Sequence, residues 1–520
     1  MTMSRTQPYS SRHAAPTPLA RWAVVVGEFG MGPRSQATFQ LLRHRPLWAA
    51  LAVLTVLSLR LDNSVRTDEA LGLFVGSWIR RAWATGEDVY SRPDTFYGGV
   101  PSLYPPLASL VESIGGLLGV RLMSLLLMAF ATIAVFVLTD ALFDTGQGWR
   151  PGSLAALLFA SSGPVLVQAH LALPGTVGIA LLLCALALGV GAARCSADNR
   201  WRALSAALGA GGLVGLSIIV SYPTLLAVPF ALAALFANAR AAGPPDIIQH
   251  YRLALLLGAI QAPVLALVVV GPQWLTGAWV TLTQVSTGAG FGSVLLHTVG
   301  WTIVPLGLAL LASRVVSGPA LAVVRPLAVG VAVLAGRQAL AGGDLTAYLG
   351  LAVALAVPGA GMLLAKLAKV RYGWAALVAV GYAALTTGMA QSQDVFGSWP
   401  DSTPLVRQVS YAVDAMPWIR MVGESPEAVQ YGMWGRLEPW QVQATYPGSF
   451  RYNGLSDLDA LRAALADNYV QLVFFDGSTE AGRLIDPTAY GFRLTDTVAQ
   501  SGTTNGAWRI YQRFDAVPAR

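Results

Sequence analysis

PLWAALAVLTVLSLRLDNSVRTDEA, residues 46–70, is the stretch that decides the fold. It opens with an uncharged apolar run through Leu59, then passes Arg60 and Asp62. It closes on the adjacent carboxylates Asp68 and Glu69, at the head of a long polar loop. An apolar run of this kind reads as a membrane helix. Two carboxylates just outside such a run are costly to place near lipid, which makes them functional candidates.

The rest of the chain repeats the pattern. Of 520 residues, 54% are hydrophobic and 12% charged, about half the charged share of a soluble domain. Apolar runs recur at 46–61, 120–142, 153–168, 176–193, 203–220, 224–237, 253–270, 294–312, 326–340, 345–364 and 374–389. The expectation is an all-α polytopic membrane protein with about eleven transmembrane helices. Alternating strands with an apolar exterior are absent, which argues against a membrane barrel. The stretch 107–118 is apolar but short and contains Glu112, so it reads as a helix lying in the interface. The net charge of +7 does not point to nucleic acid, because the basic residues sit mainly in short loops between spans. The two cysteines, Cys184 and Cys195, suggest neither a disulfide framework nor a zinc site.

Charge bias sets the expected topology. With the N-terminus inside, the inner loops hold Arg150, Arg194, Arg200, Arg202, Arg240, Arg252, Arg314, Arg325, Lys366, Lys369 and Arg371, against Asp144, Asp198 and Asp246. That is a coherent positive-inside pattern, and it places the Asp68 loop and everything after 391 outside the cytoplasm of a plasma-membrane protein. Residues 1–45, with six arginines and one acid, read as a cytoplasmic disordered arm. The membrane domain is then 46–391, with a large first outer loop at 62–119.

The tail, 392–520, is polar and aromatic-rich. Strands are expected at 418–422, 470–475 and 508–513, a helix capped by Ser456 at 458–468, and a turn at Asp476-Gly477. This predicts a small extracytoplasmic α/β domain. The aromatic stretch 434–452 suits either a domain core or a surface on which sugar rings stack.

The outer loop carries the chemistry. Arg66-Thr67-Asp68-Glu69-Ala70 opens a stretch in which Leu71, Phe74, Trp78 and Trp83 fall near helical spacing. That predicts an amphipathic helix on the bilayer, with acids favoured in its first turn by the helix dipole. Taken alone, the two acids fit a capped helix with solvated carboxylates as well as a catalytic base.

The first span, Asp68-Glu69, the amphipathic helix, Tyr104-Pro105-Pro106-Leu107 and Arg121-Leu122-Met123-Ser124 together resemble the GT-C superfamily of integral-membrane glycosyltransferases. The nearest branch is the protein-mannosyltransferase and aminoarabinose-transferase type. The resemblance is best over 46–240. It implies an inverting sugar transfer from a polyprenyl-phosphate donor to a glycan, lipid or protein acceptor outside the cytoplasm. Asp68 would be the base, with Glu69 beside it in the catalytic group. Positive groups would stabilise the leaving phosphate. Arg66, Arg337, Tyr104 and Tyr222 are the donor-phosphate candidates, and Arg80, Arg81 and His170 the substrate-binding ones, with Arg92 a further cation. Snorkelling would equally explain Arg337, and a helix kink Tyr222-Pro223.

Two departures stand out. The loop 168–176 holds no second acid, only His170, and Tyr104 stands where the aminoarabinose branch has lysine before its paired prolines. Both leave a divalent metal and the donor sugar open. Only His170 and His297 sit at outer positions, with no ligand-spaced cluster and hence no metal-ligand assignment. The competing functions are a lipid-linked saccharide flippase, which would show paired internal repeats, and a non-catalytic scaffold of the same fold.

Overall fold

A computed structural model describes residues 45–59, 64–86, 103–143, 151–195, 200–242, 245–283, 291–316, 319–341, 346–445, 449–500 and 503–513. The arm 1–44, Arg92, the side chain of His297 and parts of the basic loops lie outside the described residues.

The apolar runs form helices: α1 (Arg45–Ser58), α2 (Thr67–Thr85), α3 (Tyr104–Leu142), α4 (Pro151–Ala160), α5 (Gly163–His170), α6 (Pro174–Cys195), α7 (Arg200–Val220), α8 (Thr224–Ala242), α9 (Pro245–Val270), α10 (Gln273–Thr283), α11 (Phe291–Val315), α12 (Pro319–Ala341), α13 (Thr346–Leu367) and α14 (Gly373–Gly397). Among the described residues eight helices are long and apolar enough to cross a membrane, nine if α4 and α5 are one bent span, with two shorter apolar helices at Arg45–Ser58 and Leu306–Val315. The polytopic helical fold is as expected. In a bilayer the backbone must satisfy its own hydrogen bonds, and helices do so within one segment.

Three local readings change. The expected span at 153–168 is two helices bent by 65°, hinged at Ser161 and Ser162. The interface stretch 107–118 and the span 120–142 form one helix, α3, broken only at Gly116, whose φ of 62° lies in the left-handed region that a Cβ disfavours. Helix α10 was not expected, because 273–283 is too short to stand out as a span.

The tail follows as α15 (Thr403–Ala415), β1 (Met421–Gly423), α16 (Pro426–Gly432), β2 (Val442–Ala444), β3 (Arg451–Tyr452), β4 (Leu455–Ser456), α17 (Asp457–Ala466), β5 (Leu472–Phe475), α18 (Glu480–Leu484), β6 (Arg493–Ala499) and β7 (Ala507–Gln512). The main sheet runs β2-β1-β5-β7-β6, with β2, β1 and β5 parallel and β7 antiparallel to both neighbours. Strand alternation sorts the core into two layers. Leu472 and Phe474 pack with α15 side chains Leu405 and Val409. Val473 and Phe475 pack with α17 side chains Leu461 and Leu465 on the other face. The result is a small α/β unit, as the sequence implied.

The tail docks on α2. The Phe74 and Trp434 rings meet edge to face at 5.3 Å, Ala428 of α16 packs with Val65 and Ala70, and Tyr431 Oη donates to Glu112 at 3.4 Å. On its other side α2 lies tight against the start of α3: a Cβ on Gly76 would run into the Pro105 carbonyl.

Candidate functional site

The site is built where α1 gives way to α2. Arg66 is the N-cap residue and Asp68 and Glu69 occupy the first turn, where acids complement the helix dipole. The Arg66 amide donates to Glu69 Oε2 at 3.0 Å, closing the helix start. From here the two acids part. Successive helix residues point about 100° apart, so one faces the protein and the other faces out.

Glu69 is fully buried. Arg121, near the middle of α3, grips it side-on, with Nε to Oε1 at 3.1 Å and Nη2 to Oε2 at 2.7 Å. The main-chain amide of Ala172 donates to Oε1 at 2.8 Å. Arg121 Nη2 also reaches the Ser64 carbonyl at 2.8 Å, and the guanidinium lies 5.2 Å from the Trp399 ring centre. Ser64 is bound in turn to the chain entering the tail, accepting from the Ser402 amide at 3.2 Å. One carboxylate thereby joins α2, α3 and the loop after α5, and through Arg121 and Ser64 it reaches the head of the tail. A buried pair of this kind is worthwhile only when all its donors and acceptors are engaged, as they are here.

Asp68 is the outward acid. Its side chain is 58% exposed, and its carboxylate lies 3.8 Å from Arg66 Nε. The placement leaves it open to solvent while α2 fixes its backbone.

The other candidates divide. Tyr104 is buried beside Gly72 with its hydroxyl enclosed and without a hydrogen-bond partner. His170 Nδ1 lies 2.9 Å from the Ser58 carbonyl, and its ring meets Phe396 at 4.8 Å and Trp399 at 5.9 Å, so it joins the cluster around Arg121. Arg80 Nη1 donates to the Ser109 carbonyl at 2.8 Å, and the exposed Arg81 faces Glu438 of the tail at 3.9 Å. Tyr222 packs against Trp274, with ring centres 6.2 Å apart. Arg337 stacks on Tyr348 at 5.7 Å. Among the described residues no three His, Cys, Asp or Glu side chains converge, and none is assigned to a metal.

Sequence reasoning missed the role of Arg121, the amide of Ala172, and Trp399. The first left a signal: an arginine inside an apolar helix must find an anion. A main-chain donor leaves none.

The tail contributes electrostatics of its own. Burial, then the carboxylate of Glu112, pushes the Tyr431 phenol up from its ordinary value.

Bundle, α2 and terminal α/β unit together give the chain the fold of the GT-C integral-membrane glycosyltransferases. ArnT from Cupriavidus metallidurans in the apo state matches with a TM-score of 0.54 at 13% identity, over 92% of this chain and 98% of that one. ArnT bound to undecaprenyl phosphate matches at 0.52 and 13%, over 94% and 100%. The oligosaccharyltransferase of Archaeoglobus fulgidus matches at 0.53 and 13%, over 83% and 69%. At these identities the likeness is one of fold. No family model matches the chain, and no curated protein sequence matches it.

Proposed function

We propose that the protein is a glycosyltransferase that moves a sugar from a polyprenyl-phosphate donor to an acceptor hydroxyl, with Asp68 as the base. The observation that carries this reading is the split of the acid pair: Glu69 is committed to four donors within the fold, while Asp68 is held beside it with an accessible carboxylate. Glu69 is therefore read as the residue that positions α2, and not as a second proton acceptor.

In the proposed step the acceptor oxygen attacks the anomeric carbon and its proton passes to Asp68. The bond from that carbon to the phosphate oxygen breaks, the phosphate leaves with the electron pair, and the anomeric configuration inverts. A lipid phosphate leaves readily, so the chain needs a positioned base and positive charge near the departing oxygens. Arg66 is the candidate cation at this site. ArnT, of the same fold, has been seen with undecaprenyl phosphate, which supports a polyprenyl carrier.

The test is Asp68→Asn, assayed for sugar transfer in membranes from a strain accumulating polyprenyl-phosphate sugars. A drop of about 100-fold or more is expected from loss of a general base. Unchanged transfer by a folded Asp68→Asn protein would overturn the assignment.

A further inference from the structure

A second guanidinium is arranged like that of Arg121 but lacks its anion. Arg252, in α9, has Nε and Nη2 buried with no hydrogen-bond partner. These two nitrogens form the side-on edge of the guanidinium, the same fork that Arg121 closes on Glu69. One face of Arg252 is covered by the Phe236 ring of α8, 5.7 Å from the guanidinium carbon. Among the described residues no carboxylate pairs with Arg252. Arg252 is half-buried, but the two nitrogens of its fork are enclosed and unsatisfied, which costs free energy, so the fork calls for an anion.

Position selects the anion. Helix α6 starts next to the Asp68 site, since Ala172 contacts Glu69, and runs away from it. Tyr251 donates to the carbonyl of Gly189 at 2.7 Å, about 22 Å along α6 from Pro174 at 1.5 Å per residue. Arg252 therefore lies toward the far end of the bundle. Helices α7 and α9 run parallel, with Gly211 against Leu255 and Gly215 against Ala259. This register sets Arg252 about 12 Å, eight residues, inward from Arg200 at the start of α7. Trp201 beside it is 79% exposed, as befits a ring at the membrane–water boundary. Leu253, Leu256 and Leu257 next to Arg252 are exposed and apolar. The fork thus sits among exposed apolar side chains near one end of the bundle, on a seam between α8, which packs chiefly on α12, and α9, which packs chiefly on α7.

We propose that Arg252 binds the phosphate of an anionic phospholipid, gripping two of its oxygens through Nε and Nη2 while the acyl chains lie along the exposed leucines of α9. The site is distinct from the Asp68 site and does not depend on what that site does.

The experiment is native mass spectrometry of the full chain in detergent, titrated with phosphatidylglycerol, with phosphatidylcholine, and with inorganic phosphate as competitor. Wild type should retain one phosphatidylglycerol that Arg252→Gln binds at least fivefold more weakly. Phosphatidylcholine should be retained less, and inorganic phosphate should not displace the lipid. Equal retention by wild type and Arg252→Gln overturns the proposal, as does one-for-one displacement by inorganic phosphate. If Arg252→Gln is not recovered folded, Arg252→Lys decides, because it keeps the charge and loses the fork: weaker retention supports the proposal and unchanged retention overturns it.

Discussion

Glu69 in the membrane bundle and Glu424 in the tail are both fully buried, and each fastens segments distant in sequence, but they are answered differently. Glu69 meets a cation, Arg121, plus two main-chain amides. Glu424, just beyond β1, meets only neutral donors: the amides of Asp476, Gly477 and Thr479 and the Thr479 hydroxyl, all in the loop after β5. The contrast shows in the electrostatics of the tail. Burial first, then the neighbouring Asp476, pushes the Glu424 carboxyl up from its ordinary value, against the opposing pull of the Thr479 donors. The tail clamp therefore responds to pH.

The largest stability effect expected is at the bundle clamp. Arg121→Ala strands a buried carboxylate and should cost about 3–5 kcal/mol, read as a lowered midpoint of thermal unfolding in detergent. A midpoint equal to wild type would remove the clamp from the account. Next comes the tail. Glu424→Ala leaves buried donors unsatisfied, at about 1–3 kcal/mol for a single such group, and limited proteolysis should release the tail sheet first. This clamp should also depend on pH. A carboxyl raised in the folded chain binds its proton more tightly there than in the unfolded one. Its stabilising contribution is full below the ordinary Glu value and is lost as pH rises through the raised one. The difference in protease resistance between wild type and Glu424→Gln should therefore change with pH in that direction; a difference constant across the range would contradict it.

Smaller still is Trp434→Ala, which removes the edge contact with Phe74. It should weaken docking of the tail on α2 by about 0.5–1.5 kcal/mol beyond the area lost, seen as faster amide exchange along α2. The smallest effect belongs to Asp68→Asn: an exposed side chain should change stability by no more than about 0.5 kcal/mol. A large loss of stability there would mean that the two acids of the pair share one structural role.

Most of the bundle was legible because lipid imposes one simple rule on composition, and runs such as 176–193 and 203–220 obey it. The break at Ser161 and Ser162 was not read, although Ser161-Ser162-Gly163-Pro164 carries a turn signal, because apolar runs on both sides suggested one span. In the tail the continuous apolar run 470–475 and the Asp476-Gly477 turn marked β5 well. Ser456 marked the start of α17, although its hydroxyl makes no capping bond there. The acid pair was legible as a site, but its division of labour was not. Arg121 lies 52 residues from Glu69, and nothing local in 66–70 says which acid turns inward. Arg80 and Arg81 illustrate the same gap: they are close in sequence to Asp68 but face Ser109 and Glu438.

The amide of Ala172 has an implication for engineering and descent. Every residue except proline presents the same N–H at position 172, so a side chain that fits this buried position leaves that leg of the grip on Glu69 in place. Comparing side-chain identities at that position would reveal nothing of its importance, while a single proline there would withdraw the bond outright.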